Sequence, residues 1–128
     1  MSTLRLTTIS NQGGTDSVPS QTVISGSAKA WVNFNGTGTV AIRAAFNVSS
    51  ITDNGAGDYT LNFTNALVDA NYSVAGTSSA NVTGNRAWVI NPLDAYAPTT
   101  TTYRFTVIES GVAGAILDSA RVCISIFR

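Results

Sequence analysis

The sequence contains no histidine. Histidine-based triads, zinc-hydrolase centres and imidazole proton relays are therefore excluded. Its one cysteine, Cys123, excludes an intrachain disulfide framework and leaves too few thiols for a structural zinc site. Charge is scarce. Charged residues make up 11% of the chain, against roughly 25% in ordinary soluble domains, and the 7 basic side chains balance the 7 acidic ones. With neither net charge nor a basic cluster, the chain lacks the positive field that a phosphate backbone requires, so nucleic acid is not an expected partner. Glu and Lys occur once each, and few windows repeat apolar residues at three-and-four spacing, so helix signals are nearly absent. No stretch approaches the roughly 18 apolar residues of a membrane span. Residues 1–11 lack the basic start and long apolar run of a secretory signal. No membrane insertion is expected.

What replaces charge is neutral polarity. Thr, Ser and Asn together account for 42 of the 128 residues, from 17, 14 and 11 copies. Threonine suits the outer faces of strands. A neutral surface also promotes association, so an oligomer that hides part of it is a second explanation of the same composition. The mass of 13.3 kDa corresponds to one domain, and a hydrophobic content of 44% is enough to build a core.

Period-two patterns bounded by Gly, Asn and Asp recur along the chain. Leu4, Leu6 and Thr8 open it and end at Asn11-Gln12-Gly13-Gly14. Residues 15–27 are polar and contain Pro19, with a short apolar run at Val23 and Ile24, and residues 1–26 as a whole read as an extended N-terminal arm or shaft-proximal segment ahead of a domain spanning residues 27–128. Ala28, Ala30, Val32 and Phe34 alternate with Lys29, Trp31 and Asn33, and Asn35-Gly36 then turns the chain. Val40, Ile42, Ala44 and Phe46 are expected to face one way, with Arg43 opposite. Asp53-Asn54-Gly55-Ala56-Gly57-Asp58 leads into Tyr59, Leu61 and Phe63, the strongest hairpin signal present. Further strands are expected around Tyr72 and Val74, at Arg86, Trp88 and Ile90, at Tyr103, Phe105 and Val107, and at Val122, Ile124 and Ile126. The strand at Val122 is expected to have neighbours on both sides. About eight short strands point to an all-β fold, an antiparallel β-sandwich or jelly roll, with a barrel as the other possibility.

Few side chains suggest chemistry. Asp53 and Asp58 flank a turn, where turn shaping competes with calcium ligation and with a carboxyl pair for glycoside cleavage. Cys123 shares a strand face with Arg121 but has no imidazole base, and reads as an inert thiol. Gly36-Thr37-Gly38 lacks the Lys-Ser/Thr of a phosphate loop. Phe34, Phe46, Phe63 and Phe105 fall on apolar phases and are core candidates. Trp31 falls on the polar phase with Lys29 and Asn33, which suggests a subunit interface or a sugar platform unless the N-terminal segment or a second sheet covers it. Asn85, Arg86, Trp88, Asp94 and Tyr96 combine rings with planar amide, guanidinium and carboxylate groups at loop edges. That mixture suits a carbohydrate, whose rings offer apolar faces and many hydroxyls; core packing is the competing reading for Trp88, and Tyr96 is the better candidate for an exposed ring. No catalytic residue, metal or cofactor is expected.

The stretch Ala28-Lys29-Ala30-Trp31-Val32-Asn33-Phe34-Asn35-Gly36-Thr37-Gly38-Thr39-Val40, followed by Phe46-Asn47-Val48 and Ile51-Thr52-Asp53-Asn54-Gly55-Ala56-Gly57-Asp58-Tyr59, resembles a module at the C-terminal ends of tailed-bacteriophage tail fibres and related virion proteins. The resemblance covers roughly residues 20–75 and is looser beyond Ala75. It implies a β-rich tip, commonly homotrimeric, joined to a shaft on its N-terminal side. It also implies location in the virion, contact with other phage tail proteins, and recognition of a bacterial surface glycan or outer-membrane protein without necessarily cutting it. Lys29, Trp31, Asn33 and the hairpin from Asp53 to Tyr59 carry the fold signature, and no receptor residue is transferred. A purely structural virion module (a trimerisation cap, decoration or connector protein) is the alternative expectation. A polysaccharide-cutting enzyme ranks third.

Overall fold

The computed structural model describes residues 3–79, 88–109 and 114–128. Its elements are β1 (Thr8–Ser10), β2 (Ser17–Pro19), α1 (Ser20–Gly26), β3 (Ala28–Asn35), β4 (Ala41–Phe46), β5 (Val48–Gly55), β6 (Asp58–Phe63), β7 (Ser73–Ser78), β8 (Trp88–Pro92), β9 (Thr102–Glu109) and β10 (Val122–Phe127). β1 and β2 pair only with each other. The other eight strands form two four-stranded antiparallel sheets, ordered β4-β3-β10-β7 and β5-β6-β9-β8. The architecture is all-β and sandwich-like, and no sheet closes into a barrel among the described residues.

The two central strands of each sheet build the core. Ala30, Val32 and Phe34 of β3 and Val122, Ile124 and Ile126 of β10 face Tyr59, Leu61 and Phe63 of β6 and Tyr103, Phe105 and Val107 of β9. The rings interlock: Phe34 meets Tyr59 edge-on with centroids 5.1 Å apart, and Tyr103 stacks on Phe105 at 5.7 Å. β10, the last of the strands in sequence, lies between β3 and β7, so it has neighbours on both sides as expected.

One residue carries the chain from one sheet to the other. Asn47 separates β4 from β5 and takes the left-handed conformation, with φ of 55°. Its side-chain amide donates to the Lys29 and Asn65 carbonyls at 3.1 and 3.2 Å, and its oxygen accepts from the Asn65 amide at 2.8 Å. Asparagine is suited to this corner because it tolerates positive φ and bonds to nearby backbone.

A buried polar lock joins the hairpin to the segment before β10. The Tyr59 hydroxyl lies 2.7 Å from Asp118 Oδ1 and 2.9 Å from the Gly36 carbonyl oxygen. Asp118 Oδ1 also accepts the Gly57 amide at 2.7 Å. Burial, then the Asp118 carboxylate, push the Tyr59 pKa far upward. Glycine is required at two positions here. A Cβ at Gly36 would stand 2.5 Å from the Tyr59 hydroxyl, and one at Gly57, where φ is +63°, would stand 2.6 Å from the Leu117 carbonyl oxygen.

Two expectations are corrected. Phe46 is not a core residue: it is 54% exposed. The register between β3 and β4 passes from Asn33 opposite Ala44 to Phe34 opposite Ile42, which leaves Arg43 as an extra residue, a β-bulge. The bulge reverses the phase of β4, so Ala45 packs against the core and Phe46 turns outward. The N-terminal segment is not simply extended either. Gly14 takes φ of 65°, the Asn11 side chain accepts from the Thr15 amide at 3.0 Å, and β1 and β2 close a hairpin that runs straight into α1. None of residues 3–26 is buried.

Candidate binding surfaces

The first surface is the outer face of the sheet β4-β3-β10-β7. Because Ala30, Val32 and Phe34 point inward, Lys29, Trp31 and Asn33 point outward, and Trp31 is 39% exposed. The bulge places Phe46 opposite Trp31 in the register, and both aromatic side chains are exposed on this face. β10 continues this face with Ser125 opposite Trp31 and Cys123 opposite Asn33, and β7 adds Ala75 and Thr77 beside them. Its flanking cations are turned inward on the chain itself. Lys29 Nζ donates to the Ile24 carbonyl, to the Ser27 carbonyl at 2.8 Å and to the Ser27 hydroxyl at 3.0 Å, which ties the end of α1 to the start of β3. Arg43 donates to the Ala120 carbonyl at 2.7 Å and to Asn33 Oδ1 at 3.4 Å. A face with small residues around two exposed aromatic side chains suits packing against another protein surface.

The second surface is the outer face of the sheet β5-β6-β9-β8. It is a ladder of amides and hydroxyls. Asn62 donates to Ser50 Oγ at 3.0 Å and Thr52 Oγ1 at 2.9 Å, and Asn54 donates to Thr60 Oγ1 at 2.9 Å. At its β9 side, Arg104 grips Asp58 with two bonds of 3.0 and 2.8 Å. The hydrogen bond from Arg104 holds the Asp58 carboxyl below the usual carboxylate range, against the opposing effect of burial. The other side of the guanidinium lies 3.7 Å over the Tyr96 ring. Tyr96 is 49% exposed and is held in a turn by its amide, which donates to the Leu93 carbonyl at 2.9 Å. Asp94 is exposed in the same turn.

A cleft of about 520 Å³ lies beside the edge strands β7 and β8, and its walls include Tyr72, Val74, Ile90, Pro92, Pro98 and Tyr103. The Tyr72 hydroxyl there lies 3.1 Å from the Thr102 carbonyl oxygen, and burial pushes its pKa up to about 12. Sequence reading does not identify this cleft. Its walls come from three strands and a loop, and only the two prolines around the loop hint at it.

The predicted residues therefore divide between the layers. Lys29, Trp31 and Asn33 share the first face, whereas Asp94 and Tyr96 border the second. Asn85 and Arg86 lie outside the described residues. Trp88 is described only by its strand position, opposite Glu109. Two further members of the Tyr96 cluster, Asp58 and Arg104, become visible only when β6 pairs with β9. Both Asp58 oxygens face Arg104, and Asp53 Oδ1 accepts the Gly55 amide at 3.0 Å, the bond by which an aspartate shapes a turn. Among the described residues no group of three or more His, Cys, Asp or Glu side chains is placed to hold a metal, and no helix is long and apolar enough to cross a membrane. No family model, curated protein sequence or solved structure matches the chain.

Proposed function

We propose that this chain is the tip domain of a bacteriophage tail fibre, a homotrimer in the virion that binds a bacterial surface polysaccharide during adsorption and does not cut it. The resemblance of residues 20–75 supports the phage context. Within the structure, the observation that carries the binding role is the half-exposed Tyr96, stacked on the Arg104 guanidinium that Asp58 pairs with, at the edge of an amide and hydroxyl ladder. A sugar ring can lay its C–H face on such an aromatic group while its hydroxyls exchange hydrogen bonds with neighbouring amides. Weak single-site contacts of this kind gain strength when several linked copies engage one cell surface. Other tail proteins are the expected partners on the N-terminal side.

The test is attachment to host cells and to arrayed surface glycans, with assembly measured in parallel. Tyr96→Ala should weaken attachment at least several-fold while the assembled mass stays the same. Unchanged attachment would remove Tyr96 from the role, and a wild-type chain that binds no host surface would remove the receptor function itself. One observation favours the second reading, a structural virion module such as a trimerisation cap, decoration or connector protein. The exposed Trp31–Phe46 pair suits a permanent protein contact more than a soluble sugar. Under that reading Trp31→Ser abolishes incorporation into assembled particles, whereas Tyr96→Ala has no effect on attachment.

A further inference from the structure

We propose that residues 3–26 are an assembly element, completed when their apolar side packs against the same segment of neighbouring copies of this chain. Leu4, Leu6, Ile9, Val18, Val23 and Ile24 are all exposed, between 42% and 82%. Most of them converge on one side of the segment, around a shallow groove that α1 shares with the residues leading into β1. The unit they belong to has two strands of three residues and a helix of seven. Neither an isolated hairpin nor so short a helix holds together in water without tertiary packing, and the sandwich does not provide it, because no residue of 3–26 is buried.

The surface area says how much is missing. The chain exposes 7877 Å². A folded monomer of 13.3 kDa is expected to expose roughly 6,500 Å², so the excess is about 1,400 Å². A standard interface takes about 800 Å² from each partner, and in a closed ring every copy makes two such contacts. The total is that of the whole chain, and an excess of this size is of the order that two such contacts per copy would remove. Charge agrees, because Arg5 and Asp16 are the only charged residues in the segment and cancel, so identical segments do not repel one another. The joint to the sandwich is a single residue, Ser27, in extended backbone, and Lys29 clamps the end of α1 across it. The segment is thus held out from its own sheet rather than folded back onto it.

This inference uses the several-copy part of the proposed function and is independent of receptor binding. The experiment is light scattering on the full chain at low micromolar concentration, with tryptophan fluorescence during urea unfolding as a check that the sandwich is intact. The wild type should be a multiple of 13.3 kDa. Ile24→Asp and, separately, Leu6→Asp should lower the mass about threefold, to the single chain, with the sandwich transition retained. Gln21→Glu, which alters the side of α1 where Gln21 bonds Ser25, should leave the mass unchanged. A wild-type chain that is single at every concentration overturns the inference. So does a wild-type mass that survives both aspartate variants, since assembly would then run through another surface. Loss of assembly in both variants supports it, whether or not the wild type attaches to cells.

Discussion

The two sheets share one core and turn opposite chemistries to the outside. On β3, β4 and β10 the outward positions hold Trp31, Phe46, Ser125 and Cys123, with nearby cations bonded to their own backbone. On β5, β6 and β9 they hold Ser50, Thr52, Thr60, Asn62 and the Asp58–Arg104 pair. The difference shows what scarce charge accomplishes in this chain. One face bonds amides to hydroxyls in rows, and the other exposes Trp31 and Phe46 among small residues. Composition thus distinguishes the two outer faces, although both rest on the same interior.

The comparison can be broken from below. Gly57→Ala strikes the turn that presents Asp58, and should cost about 2–4 kcal/mol through forced left-handed backbone and crowding against Leu117. Urea unfolding measures it, and a cost well under 1 kcal/mol would mean that the polar face is not anchored through this turn. Tyr59→Phe lies beneath both faces, and removing its buried hydroxyl should cost about 1–3 kcal/mol without altering either outer surface. Asp58→Asn tests the polar face alone, and at pH 7 it should cost up to about 1 kcal/mol, since the pair is partly exposed. The sign follows from the lowered pKa. Wild-type stability from this pair is complete above the unfolded carboxyl's pKa, near pH 4, and disappears as pH falls through the lower folded value. The variant should lack that acid-side loss, so the two unfolding curves should converge in strong acid. Phe46→Ser should have the smallest effect on single-chain stability, within about 0.5 kcal/mol. A cost near the roughly 3–5 kcal/mol of a core phenylalanine truncation would show that Phe46 is interior after all.

Much of the sandwich is legible in the sequence because its central strands keep an unbroken two-residue period. Phe34, Phe63 and Phe105 are buried where that period places them, and Trp31 faces outward for the same reason. Phe46 fails because one extra residue at Arg43 resets the phase, and a bulge leaves no trace in an apolar pattern. α1 escapes notice because seven residues give too little length for a helical period, and its C-terminal cap is the Ser27 backbone amide bonding the Val23 carbonyl, which no side-chain pattern announces. The Tyr96 cluster is half legible. Tyr96 and Asp94 announce themselves by loop position, but Arg104 and Asp58 are 46 residues apart and meet only through strand pairing.

The position of β10 has a kinetic consequence. β3 and β7 reach each other only through a strand that emerges from the ribosome some 87 residues after β3 is complete. Until then the sheet exists as a hairpin and a detached strand, while the hairpin of β5 and β6 can already close locally. Such distant pairing slows folding, and for that interval the nascent chain carries an unsatisfied strand edge open to wrong partners.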